Sequence, residues 1–239
     1  MQQDVRELAE FYDSHLGAVA RRILLRQLRL IWPNVENMRL LGFGYATPFL
    51  RPFLFEAERG VAAMPAHVGV MAWPGKKNLS TLVEEDALPF ADAFFDRILV
   101  VHGVEGAESL RPLLRQLWRV LAPEGKLLLV APNRASLWAQ VDWSPFGQGR
   151  PFSRRELEAV LRDVLFVPTA WDRALYVPPF NSRALIGTGA GWERLGQRFF
   201  PALGGVHLVE ATKSLYAPVG GAPAPTGARP VQLNPLGSE

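Results

Sequence analysis

The stretch EEDALPFADAFFDRILVV, residues 84–101, followed by LLRQLWRVLAPEGKLLLVAPN, residues 113–133, decides how the chain folds. Asp96–Val101 and Lys126–Ala131 are too continuously apolar to have one wet face, the pattern of buried strands in a parallel sheet. Between them, Glu108–Leu121 spaces its leucines as an amphipathic helix, and Pro123-Glu124-Gly125 stops it. Strands alternating with helices, joined by short connections, predict a parallel sheet covered on both faces.

Working outward, Met38–Gly42 reads as a short strand entering Gly42-Phe43-Gly44. Thr47 and Pro48 then have the residue types of a helix N-cap and first helical position, predicting a helix to about Arg59. His67–Ala72 reads as the second strand, closed by Trp73-Pro74-Gly75, and Leu79–Val83 as a third. At the N-terminus, apolar residues from Val5 to Ile31 recur at helical spacing, as one helix or as two with a break near Gly17. Arginines 21, 22, 26 and 29 decorate that segment, as a solvated face or an anionic docking site. Beyond the fifth strand lies the Pro/Gly-rich loop DWSPFGQGRPF, then a helix from Arg154 to Leu165 capped by Ser153. Long strands are expected at Phe166–Val177 and Val206–Tyr216, flanking a helix at Ser182–Phe199. From Ala217 onward the chain is rich in Pro and Gly without periodicity, the composition of a disordered tail.

Composition narrows the chemistry. The 239 residues contain no cysteine, which removes disulfides, thiolate metal sites and cysteine nucleophiles, and the four histidines are widely spaced. A net charge of +3 tolerates an anionic partner without demanding one. The start, MQQDVRELAE, lacks the basic end and apolar run of a signal peptide, and no apolar stretch approaches the ~20 residues of a membrane span, so a soluble cytoplasmic protein is the expectation.

Glu84-Glu85-Asp86-Ala87-Leu88-Pro89-Phe90, then Asp92 and Phe95-Asp96, resembles the D-A-x-x-L-P-F…F-D-x-V segment of the type-11 class I S-adenosylmethionine-dependent methyltransferases. The stretch at 113–133 resembles the same family's helix, turn and fifth strand, L-x-E-x-x-R-V-L-K-P-G-G. The segments SPFGQGRPFS and WERLGQRFFP are similar to a bacterial branch of it. This resemblance implies an α/β fold: a Rossmann-like, mostly parallel seven-stranded sheet with helices on both faces and an antiparallel last strand. It also implies a methyltransferase-like domain over residues 1–216, with 1–33 as an N-terminal helical cap and 217–239 as the tail.

Carried over residue by residue, the resemblance puts Gly42 and Gly44 against the methionine part of S-adenosylmethionine, with Tyr45 covering it. Trp73 and Pro74 would lie by the ribose and adenine, and Asp86 with Ala87 by the adenine amino group. Val101, His102 and Gly103 end the fourth strand at the carboxyl edge, where open α/β sheets bind ligands. The chain departs from the family twice. Ala46 and Thr47 stand where a third glycine is common, and VGVMAWPGKK offers no acidic residue for the ribose hydroxyls, a role that Glu84 and Glu85, beyond the third strand, do not simply take over.

His102 and Glu105 are the catalytic candidates, as general base and as substrate-ordering carboxylate, each with an alternative as a structural or solvent-facing group. Tyr12, Asn133, Arg134, Asp142 and Arg150 are the substrate-binding candidates, Tyr12 and Arg21 on condition that the N-terminal helix folds over the pocket. Tryptophans 138, 171 and 192 read as core residues. The expected function is methyl transfer to a small molecule or protein, without a metal. The alternatives are a non-catalytic chain acting through a protein partner and, least favoured because no RNA-binding module is evident, an RNA methyltransferase.

Overall fold

A computed structural model describes residues 4–75, 78–180 and 189–214. Seven strands, β1 (Arg39–Gly44), β2 (Arg59–Pro65), β3 (Ser80–Val83), β4 (Phe95–Val101), β5 (Leu121–Pro132), β6 (Phe166–Ala174) and β7 (Val206–Lys213), form one sheet in the order β3-β2-β1-β4-β5-β7-β6. The first five run parallel, and β7 lies antiparallel between β5 and β6. This is the mostly parallel, Rossmann-like architecture expected.

The apolar continuity of the central strands is explained by two cores, because successive side chains point to opposite faces. Leu99 and Val101 of β4, with Leu128 and Val130 of β5, face one way, onto α1 (Val5–Asp13), α2 (His15–Ile31) and the short α3 (Thr47–Leu50). Ile98 and Val100, with Leu127 and Leu129, face the other way, onto α4 (Leu110–Val120) and α5 (Arg154–Asp163). A last helix, α6 (Gly189–Phe199), precedes β7. Among the described residues no helix is long and apolar enough to cross a membrane.

The N-terminal segment is two helices. Ser14 is extended, and its side chain caps α2 by accepting from the Gly17 N–H. Gly17 then packs so closely on the Phe11 carbonyl that a side chain there would clash. Of the arginines on α2, Arg29 is taken up by Glu56, the Pro52 carbonyl and the face of Phe53. Ser153 and Glu156 form the capping box of α5, as the sequence suggests.

Two expectations are corrected. Thr47 is the first helical residue, not the cap, and α3 gives way at Arg51 to a 3-10 turn ending at Phe55. Pro52 brings no N–H with which to continue the helical ladder. More consequentially, the second strand is Arg59–Pro65, not His67–Ala72. Its sequence, RGVAAMP, is alanine-rich and poor in β-branched residues, so its strand character comes from pairing between β1 and β3. The β-branched HVGVMA segment instead runs irregularly, and the Val68 carbonyl accepts from the Val5 N–H of α1. Residues 182–188, 215–216 and the tail from 217 lie outside the described residues.

Candidate functional site

The parallel strands β1 and β4 end side by side, with Gly44 opposite Val101. Gly44 has a φ of 79°, and a side chain on it would strike the carbonyls of Val101 and His102, so only glycine lets the two strand ends approach this closely. Gly42 is needed where Ala46 and Leu50 of the following turn and helix pack on the strand, and Gly103 where the Phe43 ring lies. The close contacts of these glycines are thus made within the protein.

His102 directly follows β4 with a φ of 50°, a left-handed conformation that costs a non-glycine residue about 1–3 kcal/mol. The turn drives its ring inward, where it is almost wholly buried. Nδ1 lies 2.9 Å from Glu105 Oε1, and Nε2 lies 2.7 Å from the Tyr12 hydroxyl. Glu105 is itself buried and accepts from the Val104 N–H at 3.2 Å. Burial, with the charge of Glu105 nearby, pushes the Tyr12 phenol well above its ordinary value, so Tyr12 stays protonated and donates. That assigns Nε2 as acceptor and Nδ1–H as donor to Glu105. Three buried groups from α1, the end of β4 and the loop after it thus form one chain of hydrogen bonds.

Aromatic rings close around the chain. Tyr12 stacks on Tyr45 at 5.8 Å and meets Phe49 edge-on at 5.3 Å, while Phe146 lies 4.9 Å from the His102 ring. Burial raises the Tyr45 phenol too. The Pro/Gly-rich loop is fastened to the same place, because the Arg150 N–H donates to the Glu105 carbonyl at 2.8 Å.

A second polar cluster sits at the carboxyl ends of β2 and β3. Glu85, just past β3, accepts from the Glu108 N–H through Oε2, and its Oε1 is buried without a hydrogen-bond partner. His67, two residues past β2, places Nδ1 3.6 Å from that oxygen, too far for a hydrogen bond. Burial pushes the Glu85 carboxyl up to about 7 and lowers His67. Asp86 and Ala87 lie exposed on the adjoining turn.

The other candidates are more scattered. Trp73 is half-buried and Pro74 exposed, eight and nine residues past the end of the real second strand. Asn133 donates from its amide to the carbonyls of Ala202 and Gly204, which anchors the end of β5. Arg134 pairs with Glu156, and the Arg150 side chain lies over Phe152 near the same carboxylate. Asp142 lines a surface cleft of about 400 Å³ with Glu7, Glu10 and Gln148. Of the five substrate candidates, Tyr12 reaches His102 through its side chain and Arg150 reaches Glu105 through its main chain. Arg21 is half-buried and acts on Tyr12 and Tyr45 through its charge. Trp138 is core, donating to the Val177 carbonyl. His67 and Phe146 are additions that the sequence does not signal, and Glu85 is a residue that its position beyond the third strand sets aside.

Comparison with known proteins bears on the fold. Residues 62–129 match the model of a methyltransferase domain family. A search of curated protein sequences finds no match. Among solved structures, the chain is similar to an S-adenosylmethionine-dependent methyltransferase of Thermotoga maritima (17% identity, 88% of this chain and 96% of that one, TM-score 0.64). It is similar to another from Archaeoglobus fulgidus (16% identity, 85% and 96%, TM-score 0.60). The [4+2]-cyclase SpnF shares the fold as well (17% identity, 79% and 81%, TM-score 0.53). Residues 62–129 thus match a methyltransferase domain family, and the chain as a whole has the fold of S-adenosylmethionine-dependent methyltransferases.

Proposed function

We propose that the chain transfers a methyl group from S-adenosylmethionine to a small-molecule or protein acceptor at the carboxyl edge of β1–β4. The observation that carries this reading is the buried Tyr12–His102–Glu105 chain at the end of β4. Gly42, Gly44, Tyr45, Val101 and Gly103 would border the methionine end of the cofactor. Glu85 and His67, with Asp86 and Ala87, would border its ribose and adenine. The unpartnered Glu85 Oε1 fits such a group, since a ribose hydroxyl or an amino group would supply the missing donor.

Bound S-adenosylmethionine supplies a sulfonium methyl already activated for transfer. The protein's part is to orient the acceptor, exclude water and take a proton. His102 suits the last task because Glu105 fixes its tautomer and stabilises the imidazolium. An acceptor N–H or O–H either replaces Tyr12 on Nε2 or passes its proton through the phenol. In both cases the proton ends on His102 Nε2.

A second reading, of a chain that keeps the site shut and acts through a protein partner, is favoured by one observation. The Tyr12 ring is fully buried over the Gly44 turn, between Tyr45, Phe49 and His102. Fold alone does not separate the readings, as the cyclase illustrates. Release of S-adenosylhomocysteine from S-adenosylmethionine, in the presence of a low-molecular-mass or protein extract, separates them. Turnover that falls about 100-fold in His102→Gln with cofactor binding intact supports the enzyme. Equal turnover in the two proteins removes His102 from the chemistry, and cofactor binding without turnover supports the closed chain.

A further inference from the structure

On the face of the sheet opposite Tyr12, the β6–β7 edge holds a cleft of about 330 Å³ that methyl transfer does not use. Its floor is His207 of β7, 2% exposed, with neither ring nitrogen hydrogen-bonded. The Phe152 carbonyl, which accepts from the Arg134 N–H, lies near the ring and favours its protonated form. Buried polar groups nearly always find partners, so two unpartnered nitrogens just beneath the floor of a cleft point to a ligand that reaches them.

The walls indicate its charge. Arg173 sits directly opposite His207 in the β6–β7 register, and Arg154, the first residue of α5, lies over the Trp171 ring at 4.8 Å. Arg173 donates one N–H to the Pro201 carbonyl, and among the described residues neither guanidinium pairs with a carboxylate. The Tyr176 hydroxyl, on the same wall, is taken by Pro201. Asp172 also lines the cleft, and its carboxylate accepts from the Arg173 main-chain N–H. Two guanidinium charges against one carboxylate leave one net positive charge, which matches a monoanion better than a polyanion. The volume stands at the low end of ligand pockets.

We propose that this cleft binds a small monoanionic group, a carboxylate or a singly charged phosphate, held between Arg154 and Arg173 with His207 donating to it. Such geometry suits the planar, multi-donor guanidinium. Burial and the two arginines together hold His207 down at about 4. An anion on the ring supplies both the opposite charge and the hydrogen-bond partner that favour the imidazolium, so binding drives protonation.

The test is a titration of the full chain at pH 6, at constant ionic strength in chloride, with sodium acetate and separately with inorganic phosphate. It is followed by nitrogen-detected NMR of the histidine rings, with His207 assigned from a His207→Gln variant. A saturating shift of the His207 nitrogens is expected, with an upward move of its titration midpoint by about one unit or more, a tenfold gain in proton affinity. The Arg154→Gln/Arg173→Gln double variant should lose the response while the His67 and His102 signals stay in place, which shows that the fold is kept. Saturation by acetate alone identifies a carboxylate ligand, and by phosphate alone a phosphate. A response that is linear for both anions, or that survives in the double variant, overturns the site.

Discussion

His102 concentrates two unfavourable features in one residue, a left-handed backbone and a buried polar ring. Tyr12 and Glu105 together satisfy both ring nitrogens, and that pairing is what makes the ring tolerable in the interior. Glu85 presents the opposite case, a buried oxygen left unsatisfied at the edge where a nucleoside is proposed to lie. Its carboxyl titrates near 7, so its capacity to accept from ribose changes within the neutral range. Affinity for S-adenosylhomocysteine should therefore rise as pH increases through about 7. Glu85→Gln should bind more weakly above that pH and lose the dependence. Titrations at pH 6 and 8 check this, and equal slopes in the two proteins would take Glu85 out of the cofactor site.

Among the elements, α5 owes its start to a reciprocal cap, in which Ser153 accepts from the Glu156 N–H and Glu156 accepts from the Ser153 N–H. Ser153→Ala should lower stability by about 1 kcal/mol, read from urea unfolding, because one N-terminal amide loses its acceptor. Such local signals were legible: the Ser-x-x-Glu box, the leucine spacing of α4 and the unbroken apolar runs of β4 and β5 each encode their element. The second strand was not legible, because Gly60, Ala62 and Ala63 carry little strand preference of their own and are held by neighbours on both sides. The misplacement propagated into the site, directing attention to Trp73 and Pro74. The real strand end, at Pro65, has no carboxylate in the residues that follow it either, but it does bring His67 beside Glu85. The link between Tyr12 and His102 spans 90 residues, and no periodicity encodes a contact of that kind.

For the molecule as a whole, the two shifted groups give stability opposing pH dependences. Folded Glu85 holds its proton up to about 7 against an ordinary 4.5, so between these values the unfolded chain binds fewer protons and stability falls as pH rises. Folded His207 stays neutral down to about 4 against an ordinary 6.5, so across that window the unfolded chain binds more protons and stability rises with pH. The two effects nearly cancel where the windows overlap, so the urea midpoint should change little between pH 5 and 6.5, whereas Glu85→Gln should make it rise with pH and His207→Gln should make it fall. On the proposed reading, the parallel strands, the two cores and the helix α1, whose Tyr12 reaches the end of β4, would together hold one edge of the sheet ready for a cofactor. Calorimetric titration of the full chain with S-adenosylhomocysteine tests that directly. Saturable one-to-one binding is predicted, weakened about tenfold or more in Glu85→Gln at pH 8 and retained in His102→Gln. Absence of binding at millimolar ligand, in the wild-type chain and in a Tyr12→Ala variant that opens the aromatic cover, would contradict it.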